Sequence, residues 1–124
     1  MRVPILRHGD HLLATIQSEL TDIDLAQLQD DLVAQVGRFR SRGVVVDVTA
    51  LDVLDSFATR TLRNVARMTR LRGANTVIVG IQPEVALAMV QLGIRLEDAE
   101  TALDLEEGLA LLSDEAGGRT PGRR

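Results

Sequence analysis

Gly43-Val-Val-Val-Asp-Val-Thr49, followed by Ala50-Leu-Asp-Val-Leu-Asp-Ser-Phe-Ala-Thr-Arg60, is the stretch that decides the fold. Its first part is a near-continuous β-branched run opened by a glycine, the pattern of a strand buried on both faces. The residues from about Ser56 to Arg72 have helical spacing and stop before Gly73. Ser56 therefore falls at a strand-to-helix junction, with Asp52 and Asp55 on its N-terminal side. A hydroxyl placed there has three available roles. It can act as an enzyme's nucleophile, as a helix N-cap, or as the acceptor of a regulatory phosphate.

Working outward, Val3 to Leu6 and His11 to Gln17 join through His8-Gly9-Asp10 and read as an antiparallel hairpin. Leu12, Ala14 and Ile16 share one face of it. Thr21 and Asp24 have capping-box spacing, and Leu25, Leu28, Leu32, Val36 and Phe39 form an apolar stripe behind them. This is a first helix ending near Phe39. Beyond the second helix, Asn75 to Gly80 is a short buried strand, and Pro83 to Gly93 brackets a third helix. Thr101 to Leu103 reads as a last edge strand. Asp104 with Glu107 starts a fourth helix that turns Leu105, Leu109 and Leu112 inward.

Strand-helix-strand crossovers require parallel pairing, whereas the hairpin is antiparallel. The expected fold is α/β: one small mixed sheet, an N-terminal hairpin followed by alternating helices and strands, with about four helices. One domain spans residues 1–116, and the apolar-free tail 117–124 is expected to be disordered. Little sequence remains to cover a second sheet face, so an exposed face suited to assembly is expected.

Composition narrows the chemistry. The chain has 124 residues, 45% of them hydrophobic and 26% charged, with a net charge of −4. That is an ordinary globule in which nucleic acid is not the default partner. No run reaches the roughly 20 apolar residues that span a bilayer, and no secretory signal opens the chain. These features fit a cytoplasmic protein. There is no cysteine, and all 14 basic residues are arginine. Disulfide, thiolate, Schiff-base and Walker A chemistry are thereby excluded. The two histidines, His8 and His11, flank a turn and lack further ligands, so no metal site is expected. No cofactor is expected either. Ser56 as a nucleophile would lack both a base and a G-x-S-x-G elbow, which argues against an enzyme.

Arg60, Arg63, Arg67 and Arg70 recur at spacings of three and four, which places them on one helix face. Glu97 to Glu115 holds eight acids and no base. The two are either solvated faces of opposite sign or complementary docking surfaces between subunits. In the second case Arg63, Arg67 and Arg70 form an assembly face.

The hairpin, the Asp-Val-Thr strand end, the Asp-Ser at the helix start and Gly80-Ile-Gln-Pro83 resemble a STAS domain over roughly residues 3 to 115. Val53-Leu-Asp-Ser-Phe57, Val79-Gly-Ile-Gln-Pro83 and Thr101-Ala-Leu-Asp-Leu-Glu-Glu-Gly-Leu109 sharpen the resemblance toward RsbS-type small scaffold subunits of the bacterial stressosome. The resemblance implies a non-enzymatic scaffold that co-assembles with RsbR-type STAS paralogues and holds an RsbT-like serine kinase. Phosphorylation of the scaffold releases that kinase toward an alternative sigma factor pathway, and a separate phosphatase resets it. By position the acceptor is Ser56, and Asp47, Asp52, Asp55, Phe57, Thr59 and Arg60 are the expected partner contacts.

The alternative within STAS is an anti-sigma-factor antagonist that binds an anti-sigma kinase. Those proteins usually carry Ser-Gly or Gly-Leu after the acceptor, where this chain has Phe57-Ala58. RsbR-type chains usually have threonine at the Ser56 position and an added N-terminal sensor. Here the fold begins within a few residues of Met1, and no such sensor is expected.

A phosphate on Ser56 adds a charge of about −1.5 to −2. The helix dipole favours it by about 0.3–1 kcal/mol. Asp52 and Asp55 oppose it, on the order of 3 kcal/mol for a unit pair at about 6 Å and an effective dielectric near 20. The expected result is a deeper negative patch and altered partner binding on an intact fold.

Overall fold

The structure, a computed structural model, describes residues 2–116, with side chains to residue 114. The tail 117–124 lies outside the described residues. The chain order is β1 (Ile5–His8), β2 (His11–Thr15), α1 (Asp22–Phe39), β3 (Gly43–Asp47), α2 (Ser56–Leu71), β4 (Asn75–Val79), α3 (Pro83–Leu92), β5 (Glu100–Ala102) and α4 (Leu105–Ala116). The strands form one sheet in the order β1-β2-β3-β4-β5. The hairpin pairs antiparallel with Leu6 opposite Leu13, and every later pair is parallel. This is the mixed α/β architecture expected from the sequence, with β5 displaced by one residue.

Strand alternation divides the core. Leu12, Ala14, Val44, Val46 and Ile78 pack in one cluster with Leu28 and Leu32 of α1, Leu62 and Val65 of α2, and Val85 and Met89 of α3. Most of these side chains are almost wholly removed from water. Burial of each Val, Leu, Ile or Met among them is worth about 1.5–3 kcal/mol. Val45, Val77 and Val79 point the other way and meet Leu112 of α4.

That second cluster corrects two expectations. The second face of the sheet is covered over its β3–β5 half by α4, so it is not a bare assembly surface. Leu105 also does not turn inward. It is exposed, Leu109 is half-buried, and Leu112 alone of the three is buried. The buried residue one turn earlier is Gly108, where a Cβ would come within 2.7 Å of Val79 Cγ1. A small residue lets α4 sit close to the sheet, and leucine periodicity does not reveal that contact.

The helix ends follow their local chemistry. Thr21 and Asp24 make the reciprocal capping box of α1, with Asp24 N donating to Thr21 Oγ1 at 3.1 Å. Pro83 begins α3, and Gly93 ends it in the left-handed conformation. Buried between α2 and β4, the hydroxyls of Thr69 and Thr76 bond each other at 2.9 Å. No helix among the described residues is long and apolar enough to cross a membrane.

Candidate functional site

The segment from β3 to α2 is held at several points. Val48 N donates to Val79 O at 3.0 Å, continuing the β3–β4 pairing past the strand. Asp47 Oδ1 accepts from the Thr49 backbone N–H at 2.9 Å and from its hydroxyl at 2.6 Å, an Asx-type turn. Gln82 Nε2 reaches across from the start of α3 to Thr49 O at 2.6 Å. Gly80 lies against the same turn at φ 81°, with its N–H on Ala102 O at 3.1 Å. Leu51 and Leu54 are buried and anchor the loop to the core. Asp47 is thus a turn-forming residue, half-buried and engaged within the chain.

At the start of α2, Asp55 is the N-cap. Its backbone is extended, and its carboxylate accepts from Ala58 N at 2.8 Å. Ser56 is the first helical residue, so reading it as the cap is corrected. Serine and aspartate are both good caps, and adjacency in sequence does not choose between them. Since Asp55 makes that bond, the exposed Ser56 hydroxyl makes none to the described residues. Asp55→Ala should therefore lower stability by about 0.5–2 kcal/mol, measured by denaturant titration. Asp55→Asn should recover most of it, because asparagine caps equally well.

Two concave surfaces meet at Ser56. One is a groove of about 290 Å³ between the loop and α3, lined by Val53, Leu54, Val85, Leu92 and Ile94 and rimmed by Asp52, Asp55 and Glu84. The other is a pocket of about 230 Å³ on the α2 side, lined by Ser56, Thr59, Arg60, Arg63, Arg95 and Glu97. The surroundings of Ser56 are therefore of mixed sign. The expected acids Asp52 and Asp55 lie on one side of it, and spacing along α2 and the α3–β5 loop bring arginines to the opposite side.

The remaining expected contacts separate. Asp52 is exposed, and Phe57 is half-buried with Arg60 over its ring at 5.9 Å. Thr59 is 1% exposed, which takes it off the contact surface. The arginine row does lie on one face, but its acids come from the same chain. Arg67 Nε meets Asp98 at 2.7 Å, Arg70 Nη1 lies 3.9 Å from Asp98, and Arg63 Nη1 donates to Arg95 O at 3.1 Å. Asp98 supports this at φ 73°, a left-handed backbone unusual for a non-glycine residue. Arg63, Arg67 and Arg70 thus clamp the α3–β5 loop within the chain, and Arg67 and Arg70 keep more than half of their side chains in solvent. Arg95 was not legible as a site residue, because only the tertiary path of that loop brings it to α2. Among the described residues no cluster of His, Cys, Asp and Glu is arranged to hold a metal ion.

A sheet of this order, with a hydroxyl exposed at the first turn of the helix after its central strand, defines a class: the STAS domain pattern matches residues 2–108, and the chain belongs to that family. Within it the chain is similar to RsbS. A serine-to-glutamate variant of RsbS from Moorella thermoacetica is 35% identical, with a TM-score of 0.80 over 93% of this chain and 97% of that one. A chain from a structure of the stressosome, described as a signal integration and transduction hub, is 36% identical with a TM-score of 0.74 over 91% of this chain and 98% of that one. The RsbT co-antagonist protein RsbRA of Bacillus subtilis is 31% identical over 98 residues, 79% of this chain and 34% of the relative. The chain thus spans about a third of the length of that longer relative.

Proposed function

We propose that the chain is a non-enzymatic scaffold subunit of a stressosome-type assembly. It binds an RsbT-like serine kinase, accepts a phosphate from it on Ser56, and so releases it toward an alternative sigma factor or related stress pathway. The observation that carries this reading is the Ser56 hydroxyl, exposed at a helix start whose capping bond is made by Asp55 and unpartnered among the described residues. In the transfer, Ser56 Oγ bonds to the γ-phosphorus of ATP and the bond to the ADP oxygen breaks. The hydroxyl proton passes to the kinase's base. The similarity to RsbS and to RsbRA supports the choice of partners, namely the kinase, RsbR-type STAS paralogues and a resetting phosphatase.

The groove beside Ser56 fits kinase docking, with an apolar floor for contact area and Asp52, Asp55 and Glu84 as charged rim. Self-association is supported by α3, which exposes Leu87 and Val90 outside that groove. The native mass tests the assembly. Co-expressed with an RsbR-type paralogue, the chain should elute in a particle many times its own 13.5 kDa. A small heteromer with an anti-sigma kinase would instead support the antagonist alternative. In the assembled particle Ser56→Asp should weaken kinase retention about tenfold, equivalent to about 1.4 kcal/mol. Surface-immobilised kinase measures it, and unchanged retention argues against release by charge.

A further inference from the structure

Two residues that line the pocket on the α2 side of Ser56 each carry a buried polar atom without a partner among the described residues. Thr59 Oγ1 and Arg63 Nε are both sealed from solvent, and neither has a hydrogen-bond partner among the described residues. The other buried threonines of α2 behave differently: Thr61 donates to Phe57 O at 2.8 Å and Thr69 to Val65 O at 2.7 Å. A buried unpaired donor is unfavourable, so an orphaned pair in the wall of one cavity is available to complete its bonding with a ligand that enters there. Arg60 and Arg95 line the same cavity. Ser56, Thr59, Arg60 and Arg63 follow the i, i+3, i+4, i+7 pattern of a single helix face.

We propose that this pocket is a phosphate-monoester site formed by the Thr59 hydroxyl and the guanidinium groups of Arg60, Arg63 and Arg95. The phosphate is either that of modified Ser56, folded back against its own helix, or a free phosphate ion occupying the pocket before modification. The first source rests on the function proposed above; the second does not. The chemistry selects an oxyanion because the groups offered are the N–H donors of three cationic guanidiniums and one hydroxyl donor. One acid, Glu97, lines the pocket too, and it lies 3.6 Å from both Arg95 Nε and Arg67 Nη2. Glu97 thus occupies part of the cationic surface in the unmodified chain and is displaced from Arg95 when phosphate enters. A phosphate so held adds to the contacts by which α2 already holds the α3–β5 loop.

The test uses the full chain with phosphoserine installed at position 56 during translation, so that no kinase is needed. Phosphorus NMR follows the second ionisation of the phosphate, which lies near about 6 for a free monoester. In the wild-type background it should fall by about one unit. Arg60→Gln with Arg95→Gln should restore the ordinary value, and Glu97→Gln should lower it further. Thr59→Val, a near-isosteric change, should recover part of the drop without altering Arg positions. In a second arm, inorganic phosphate is titrated into the unmodified chain and amide shifts are followed at Thr59 and Arg63. Saturable shifts, weakened at least fivefold in the Arg60→Gln, Arg95→Gln chain, identify the free-ion source. Phosphoserine that titrates at the ordinary value in all backgrounds, together with no saturable phosphate shifts, overturns the proposal. Failure of the cognate kinase to modify Ser56 would overturn the functional reading while leaving this result standing.

Discussion

Ser56→Ala should reduce phosphate incorporation from the cognate kinase to background, while leaving the fold and kinase binding in place. The substitution removes the proposed acceptor oxygen. It touches little else, since Asp55 makes the capping bond and the residue is exposed. A surface change of this kind moves stability by at most about 0.5 kcal/mol, or roughly 3 °C in melting temperature. Kinase affinity should stay within about twofold of wild type, so the variant becomes a trap that binds and does not release. Radiolabel transfer measures the first effect and calorimetric titration the second. Thr49 is the informative control: it is exposed, but its hydroxyl is committed to Asp47 at 2.6 Å. Phosphate that persists in the Ser56→Ala chain and maps to Thr49 would contradict the assignment.

Gly80→Ala should cause the largest loss of stability among single methyl additions near the site. Gly80 has φ 81°, where a side chain costs about 1–2 kcal/mol. The added Cβ would also run into Thr49 Oγ1 and approach Asp47 Oδ1 at 3.2 Å, in a turn fixed by Gln82. Overpacking of that kind costs about 1–3 kcal/mol. Together these give about 2–5 kcal/mol, a large share of the roughly 5–15 kcal/mol that holds a domain folded. Urea titration measures it. Thr49→Ala in the same background should recover the part of the loss due to Thr49 Oγ1 and leave the backbone part, together with the 3.0 Å contact to Thr49 Cβ. Since the turn carries the loop to Ser56, Gly80→Ala should also slow phosphorylation of the folded fraction. An unchanged urea midpoint would mean that the turn does not constrain this strand end.

The elements whose burial is decided locally were readable from sequence. The β3 run, the α1 stripe with its capping box, and the Pro83–Gly93 bracket each fix their own conformation. What was not readable depended on distant chain meeting at one point. The arginine row of α2 shows its periodicity in sequence, but its partner Asp98 lies 31 residues beyond Arg67. Gly108 gives no apolar signal, although it is where α4 meets the sheet. Ser56 and Asp55 compete for one capping position, and the outcome is set by which backbone is extended and which carboxylate reaches Ala58 N. The phosphate pocket needs Arg95 from a loop with no periodicity at all.

The central claim is that modification of one exposed hydroxyl determines whether the kinase stays bound. Its most direct test incubates the wild-type chain with its cognate kinase and ATP, and follows intact mass, the modified residue and bound kinase in the same samples. The expected result is one phosphate per chain, on Ser56, with kinase lost from the complex in step with its appearance. Phosphate on another residue, or fully phosphorylated chain that still retains the kinase, would contradict the account.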